Sequence, residues 1–458
     1  MDINHYYLTG ESFSLMDSAG RAISDYAVDH CSKGERILIV CGPGNNGGDG
    51  FSAASHLESK ADFMVVSLVS KEMYTGDARK ALMRYSGPVA EYADLRSEID
   101  KSQYLIDALF GTGLSRTPTG VYSEAIEAMN ASGKEILSVD IPSGMGTDVS
   151  IHPACTLTFQ DIKQGMSVQN CGKIQVVKLN YHEKSENYSG PGDFVYFPYP
   201  KKDSHKGMNG IVAVVAGWEF PGSSLMAAQA AAAMGADLVK IYWPAGMAAG
   251  GAISHPSTIF RNVDDLKDPY EEIGNANCIL LGPGIGKSQK SMDFMEKILQ
   301  RLHNSTVIDA DGIYLLSKKP HLSHGKNSVI TPHSAEFKML TGEEATPANA
   351  AKTAKSSGSV ILLKQSTDVI TDGTRTILSD GGNPRLTMGG TGDILAGMVA
   401  SLMARGTPPL WASSLSSFVL KRTGDELFRE KSLWYDQFDL IRKIPDTMAW
   451  VEGLYRAA

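Results

Sequence analysis

The sequence predicts two α/β domains in tandem, each a parallel sheet covered by helices on both faces. Three observations predict it. The 458 residues exceed what one ordinary core holds, and a guide of about 150 residues per domain gives two or three. Short apolar runs alternate with helix-length polar-patterned segments along the chain, as expected for strands buried on both faces. A stretch rich in Gly, Pro, Ser and charge, Tyr181 to Gly207, interrupts that alternation near the middle, and such composition suits a linker. The boundary is placed near Tyr199, giving domains 1–199 and 200–458.

In the first half the strands are expected at RILIVC (from Arg36), DFMVVSLV (Asp62), YLIDALF (Tyr104), EILSVDIP (Glu135), CTLTF (Cys155) and KIQVVKL (Lys173). The second half restarts the theme with IVAVVAG (Ile211), DLVKIYW (Asp237), ANCILLG (Ala276), STVIDAD (Ser305), NSVITPH (Asn327) and SVILLKQ (Ser359), separated by helices such as Ser288 to His303. No residue-level repeat links the halves. Two different domains are therefore expected, not a duplication.

Composition excludes several classes. A formal charge of −8 gives no electrostatic reason to expect nucleic acid, and nothing in the sequence marks a local basic patch. The five cysteines, Cys31, Cys41, Cys155, Cys171 and Cys278, are scattered and lack a CxxC pair, which fits a reducing cytoplasm. MDINHYYLTGES at the start lacks a basic segment followed by an apolar one, so no secretory signal is expected. No apolar run approaches the roughly 20 residues of a membrane helix. The alanine-rich piece Ala227 to Ala236 reads as a packed helix of a water-soluble domain.

Two glycine-rich strings carry the chemistry. GPGNNGGDG, Gly42 to Gly50, follows the Arg36 strand and precedes a helix expected over Phe51 to Lys60. Such a strand–loop–helix junction offers backbone N–H groups to an anion. It is not the dinucleotide fingerprint GxGxxG, and its asparagines and aspartate imply polar duties beyond cradling pyrophosphate. GGNPRLTMGGTGDILAGMVASLMARG, Gly381 to Gly406, holds Gly389, Gly390 and Gly392 just before Asp393. A helix opening there presents unpaired N–H groups, which can hold charge developing on a transferring phosphoryl group while the carboxylate accepts a hydroxyl proton. Asp393 is the expected catalytic base; the competing reading is a helix cap.

GGTGD resembles the anion-hole motif of ribokinase-like enzymes. With HKGMNG at His205, FPGSS at Phe220, GPGIG at Gly282, DADGI at Asp309, TPHSAEF at Thr331 and LLKQSTDVI at Leu362, the second half resembles NAD(P)H-hydrate dehydratases. Several spaced motifs in the right order are more specific than any one. The resemblance implies a ribokinase-like fold and dehydration of hydrated NADH or NADPH. Phosphorylating the ring hydroxyl makes it a good leaving group. It further implies that Lys364, Gln365, Ser366, Thr367 and Asp368 bind ADP or ATP with magnesium, that Gly390 and Gly392 support the transition-state oxygens, and that Ser223, Gly284 and His333 face the hydrated cofactor. Likeness to fused prokaryotic proteins favours ADP. Gln365 stands where the family usually has glycine, and Asp368 where it usually has threonine, an extra carboxylate expected near the phosphates. TPHSAEF also lacks the proline and glycine common after its histidine. Apart from the resemblance, His333 also reads as a cap, Asp309 and Asp311 as turn formers, and Glu336 as a surface carboxylate near a helix start.

LMDSAGRAI at Leu15, NNGGDG at Asn45, DALFGTGLSR at Asp107 and DIPSG at Asp140 resemble the NAD(P)H-hydrate epimerases over most of residues 1–195. That resemblance implies a Rossmann-like domain, followed by the ribokinase-like one, that interconverts the two epimers of the hydrated cofactor. It implies potassium held by Asn46, Asp107 and Ser143, a set of oxygen donors suited to a hard, weakly charged cation. Asn45, Gly47, Gly48 and Asp49 would line the substrate, with Gly111, Thr112, Gly113, Leu114, Ser115, Arg116 and Thr117 beside its phosphates and Tyr122 nearby. Asp140 is the expected proton-transfer group; otherwise it orients a loop at a strand end.

Together the halves read as a bifunctional repair enzyme, expected to be a cytoplasmic homo-oligomer that binds no membrane. Two alternatives remain. One is a ribokinase-like kinase of a sugar or vitamin precursor, which would release a stable phosphorylated alcohol. The other makes the first half a non-catalytic binding module.

Overall fold

The computed structural model describes residues 1–32, 34–114, 116–245, 258–322 and 327–457. The chain forms two compact units, one of Leu8–His182 and one of Met1–Tyr7 with Glu183–Ala458. Residues 183–199, placed by composition with the first half, belong to the second unit for a packing reason. The turn Pro191–Tyr196 sinks Phe194 into that unit's core, and the buried Asp193 accepts a 2.6 Å hydrogen bond from Ser414 Oγ.

Among the described residues the first unit holds seven strands: β1 (Arg36–Cys41), β2 (Asp62–Ser67), β3 (Val89–Glu91), β4 (Tyr104–Ala108), β5 (Glu135–Val139), β6 (Cys155–Phe159) and β7 (Lys173–Val177). Their order is β3-β2-β1-β4-β5-β6-β7, and every pairing is parallel. The order reverses between β1 and β4, so the loops leaving their carboxyl ends diverge over a crevice, the usual ligand position in such sheets. The helix after β1 spans Asn45–Leu57, six residues ahead of the expected start, so NNGGDG is its opening turn and not a free loop. Close packing explains the glycines. A Cβ on Gly42 would lie 2.0 Å from the Leu109 carbonyl oxygen, and one on Gly47 only 1.9 Å from that of Gly42.

The second unit holds β8 (Ile211–Val215), β9 (Leu238–Trp243), β10 (Ile259–Asn262), β11 (Cys278–Leu281), β12 (Ser305–Ile308), β13 (Ser328–Ile330), β14 (Val360–Leu363), β15 (Asp368–Thr371) and β16 (Thr376–Ser379). Among the described residues the order is β10-β9-β8-β11-β12-β13-β14-β15-β16, with the last two joined antiparallel. The reversal lies between β8 and β11. Their exit loops meet there, Gly217 N donating to the Pro283 carbonyl at 2.8 Å and Phe220 N to that of Gly284 at 2.9 Å.

The helix Thr391–Ala404 is buried from Ile394 onward. A helix apolar all round belongs inside a core, and this one packs against the helix Pro221–Ala233, in which Ala227, Ala228, Ala230 and Ala231 are buried. Among the described residues no helix is long and apolar enough to cross a membrane.

Candidate functional site

In the second unit the GGTGD string becomes a tight turn into the helix Thr391–Ala404. Gly390 caps that helix in the left-handed region, φ 93°, and a Cβ there would strike Met226 Sδ at 2.5 Å. The cap is therefore a glycine without a side chain, and Asp393 lies inside the first turn, which removes its reading as the capping residue. Asp393 is half-buried. Its carboxyl is pushed up to about 6 by burial first and the Asp309 charge next; a hydrogen bond from Ser223 and the Lys364 ammonium pull the other way, and Glu336 adds to the rise. A base with that value is ionised at neutral pH yet still takes up a proton readily.

Around it the structure gathers residues from five places in the chain. Lys364, at the end of β14, places Nζ 2.8 Å from Asp309 Oδ1 and 4.0 Å from Glu336 Oε2. The same Nζ would lie 3.3 Å from a Cβ on Gly392, so the ammonium rests against the helix N-terminus. Burial alone would lower the Lys364 pKa, but Asp309, Glu336 and Asp393 outweigh it and hold it above the ordinary lysine value. Ser223 stands in the first turn of Pro221–Ala233. A Cβ on Gly284 would come within 2.9 Å of Ser223 Oγ, so Ser223, Gly284 and Asp393 are neighbours.

His333 caps the helix Ser334–Thr341, its Nδ1 accepting from the Ala335 and Glu336 N–H groups at 3.1 and 3.4 Å. Glu336 returns the bond, its Oε2 accepting from His333 N at 2.9 Å. This carboxylate, read from the sequence as a surface group, has a side chain only 16% exposed and faces Lys364. The signal that could have found it was its spacing, three residues after a cap at a strand's carboxyl end.

Asp368 corrects an expectation. Its carboxylate was expected near the phosphates, but it is turned into the protein, Oδ1 accepting from Gln365 N at 2.8 Å and Oδ2 from Ser417 Oγ at 2.6 Å. The Gln365 amide reaches the other way, donating to Ser334 Oγ at 3.2 Å and the Ala345 carbonyl at 3.0 Å. Ser366 is exposed and Thr367 half-buried at the tip of this turn.

In the first unit Asp107, at the end of β4, is fully buried. Its Oδ1 accepts from Ser143 Oγ at 2.5 Å, and its Oδ2 from Ser143 N at 2.9 Å and Ser138 Oγ at 2.8 Å. Burial pushes its pKa up against the pull of those bonds. A cation beside it would favour the charged form. Among the described residues no three His, Cys, Asp or Glu side chains gather as a metal site, so an ion here would need the mixed oxygen donors of Asn46, Asp107 and Ser143. The Asn46 side chain is buried with its Nδ2 lacking a hydrogen-bond partner. The point a Cβ would occupy on Gly111 lies 3.7 Å from Asn46 Oδ1 and 3.8 Å from Asp140 Oδ2. Asn46 and Asp140 thus face the same loop.

Asp140 follows β5 with φ 65°, a strained conformation for a residue other than glycine. Lys163, which sequence reasoning did not single out, places Nζ 2.6 Å from Asp140 Oδ1. It also donates to Thr158 Oγ1 at 3.0 Å and the Phe159 carbonyl at 2.6 Å. Asp49 is half-buried, close enough for its charge to add to the burial that raises the Cys41 thiol pKa. Asn45, Thr112, Gly113, Arg116 and Thr117 are exposed, Leu114 is half-buried and Gly48 buried; Ser115 lies outside the described residues. Tyr122 packs edge-on against Phe110 at 4.9 Å, next to the Phe110 backbone that bonds Ser143 Oγ.

The model of the NAD(P)H-hydrate dehydratase family matches residues 212–446, and that of the YjeF-related protein N-terminus matches residues 12–165. The chain is 33% identical to the bifunctional NAD(P)H-hydrate repair enzyme Nnr of Hyperthermus butylicus, covering 98% of this chain and 90% of that protein. Its counterpart in Pyrobaculum aerophilum is 32% identical over 97% of this chain and 95% of its own length. Among solved structures, a ribokinase-like superfamily protein from Enterococcus faecalis is similar with a TM-score of 0.55 and 23% identity, over 58% of this chain and 96% of that one. The ADP/ATP-dependent NAD(P)H-hydrate dehydratase of Bacillus subtilis, co-crystallised with ATP/Mg2+, is similar with a TM-score of 0.50 and 20% identity, over 58% and 99%. Both share the fold of the second unit.

Proposed function

Because the chain belongs to the family of bifunctional NAD(P)H-hydrate repair enzymes, we propose that its second unit dehydrates hydrated NADH or NADPH at the expense of an adenine nucleotide, while its first unit interconverts the two epimers. The observation that carries this reading is Asp393. A half-buried carboxyl with a pKa of about 6 stands at the N-terminus of a buried helix, with the Lys364 ammonium against the same turn.

In the second unit Asp393 takes the proton from the ring hydroxyl as its oxygen attacks the terminal phosphorus. The N–H groups at Gly390 to Gly392 and the Lys364 ammonium meet the charge that builds on the phosphoryl oxygens. Breaking the ring carbon–oxygen bond then releases phosphate, and loss of a neighbouring ring proton restores the dihydropyridine. Ser223 and Gly284 hold the hydrated ring beside Asp393, and His333 stands at the rim. Magnesium carried by ADP or ATP would find the Glu336 carboxylate at this edge and would neutralise phosphate charge.

In the first unit the Asp140–Lys163 pair moves a proton to and from the ring hydroxyl as it leaves one face and returns on the other. Potassium held by Asn46, Asp107 and Ser143 would offset the buried Asp107 charge. The five cysteines are unpaired, in keeping with a reducing cytoplasm.

The test is incubation of the purified protein with hydrated NADH and either ADP or ATP. The expected result is return of the near-ultraviolet absorbance of reduced nicotinamide together with inorganic phosphate. A stable phosphorylated product without that absorbance would make the second unit a kinase. Exchanging potassium for sodium should slow epimerisation and leave dehydration of the correct epimer unchanged.

A further inference from the structure

We propose that Lys421, Ser417 and Asp368 form a buried strut that sets the shape of the turn Lys364–Asp368, and so positions its backbone toward the nucleotide. This rests on the reading that the turn grips ADP or ATP. The sequence lacks glycine at residue 365, and no residue of the turn has a positive φ. Its shape is held from beneath instead. Ser417 and Lys421, one turn apart on the helix Pro409–Lys431, face it together. Ser417 Oγ donates to Asp368 Oδ2 at 2.6 Å, and Lys421 Nζ stands 3.5 Å from the same oxygen. That ammonium also donates to the carbonyl oxygens of Ser366 and Ser379, both at 2.7 Å, while Asp368 Oδ1 accepts from Gln365 N.

One consequence follows from peptide geometry. In a planar trans peptide the C=O and N–H point in opposite directions. Drawing the Ser366 carbonyl inward onto Lys421 therefore turns the Thr367 N–H outward, where a phosphate oxygen can accept from it. A glycine turn would reach such a shape by its own freedom; here a charged pair imposes it.

The attraction within the pair does not by itself account for it. Both side chains are nearly buried, 9% and 6% exposed. Burial pushes Asp368 above the ordinary carboxylate range and pulls Lys421 below the ordinary lysine value, in each case against the attraction of the partner. A buried pair whose desolvation outweighs its attraction can be exchanged for apolar groups at little cost in stability. Its hydrogen bonds to the turn point instead to placement of the backbone from Gln365 to Asp368.

The test compares Lys421→Met, Asp368→Asn and the double variant Lys421→Met/Asp368→Thr in the full-length protein. In each, KM for ADP should rise about tenfold while kcat at saturating ADP stays within about threefold, because a positioning group acts on binding more than on the chemical step. Epimerisation, carried by the other unit, should not change. If Lys421→Met fails to fold with its carboxylate stranded, Asp368→Asn and the double variant still decide. Unchanged KM in those variants would overturn the strut. So would a double variant with the KM of the unmodified protein, since the effect of Lys421→Met would then come from the stranded charge. Amide hydrogen exchange of the unmodified protein separates the premise: if ADP does not protect the Ser366 and Thr367 amides, the turn does not grip the nucleotide and that reading fails, whereas protection there with an unmoved KM in the variants sinks the strut alone.

Discussion

Asp393 and Asp140 are both carboxylates beside the carboxyl ends of parallel strands, but their surroundings treat charge in opposite ways. Asp140 is held at 2.6 Å by Lys163. Asp393 has a lysine nearby, but Lys364 is drawn to Asp309 at 2.8 Å, and the Asp309 charge, after burial, pushes Asp393 up to about 6. The difference matches the two reactions. Dehydration runs one way and needs a base that accepts a proton and keeps it through phosphoryl transfer. Epimerisation returns to its starting functional groups, so its acid and base must exchange roles in either direction, and a directly bonded carboxylate–ammonium pair can do so.

The sharpest break of this comparison is Asp393→Ala. Removing the base should lower dehydration by about a thousandfold or more, with epimer interconversion unchanged, as followed by chromatographic separation of the epimers. Loss of both activities would mean that the two sites are not independent. Next in size, Asp140→Ala and Lys163→Met should each slow epimerisation about a hundredfold. Dehydration of the correct epimer should persist, and a mixed sample should stop converting near the fraction first present in that form. A Lys163→Met variant that epimerises normally would reduce Lys163 to a strut for Thr158 and Phe159.

These tests also mark what the sequence could reveal. The alternation of apolar runs was enough to read two parallel sheets, since strands buried on both faces carry their pattern locally. The positions of Asp393 in a helix's first turn and of Asp107 near a strand's end were legible because glycines or an apolar run announce them within a few residues. Lys163 was not, because its partner is 23 residues away in the chain and only the pairing of β5 with β6 brings the segment across. Glu336 misled for the same reason: beside a helix start it looks like a dipole-stabilised surface group, and only Lys364, from another strand, reveals its direction. Asp368 looked like added charge at the phosphates, but Ser417, 49 residues onward, and Lys421 on the same helix take its carboxylate inward. Composition also drew the boundary too late, because the turn at Pro191 reads as linker although it buries Phe194.

A smaller effect concerns the pH dependence of dehydration. Dehydration should lose about tenfold in kcat/KM for each pH unit below about 6, as Asp393 becomes protonated and no longer accepts the hydroxyl proton. Epimerisation measured on the same samples shows whether the protein stays folded over that range. A dehydration profile flat down to pH 5 would show that Asp393 is not the base.

The smallest expected effect concerns stability, and its sign is opposite to that of an ion-paired carboxylate. Asp393 has a folded pKa of about 6 against an ordinary 3.8, so between those values the folded protein holds more protons than the unfolded one. Stability from this group is therefore full below about pH 4 and is lost as pH rises to about 6. Asn keeps the shape without the charge, so Asp393→Asn should stabilise the second unit at pH 7 by on the order of 1–3 kcal/mol while abolishing dehydration. Asp193, also pushed up to about 6 by burial, titrates in the same window in both proteins, so the difference between their unfolding curves isolates Asp393. If Asp393→Asn is no more stable than the unmodified protein at pH 7, the carboxylate is not strained by its site, and the tuning of this base by burial and the Asp309 charge fails.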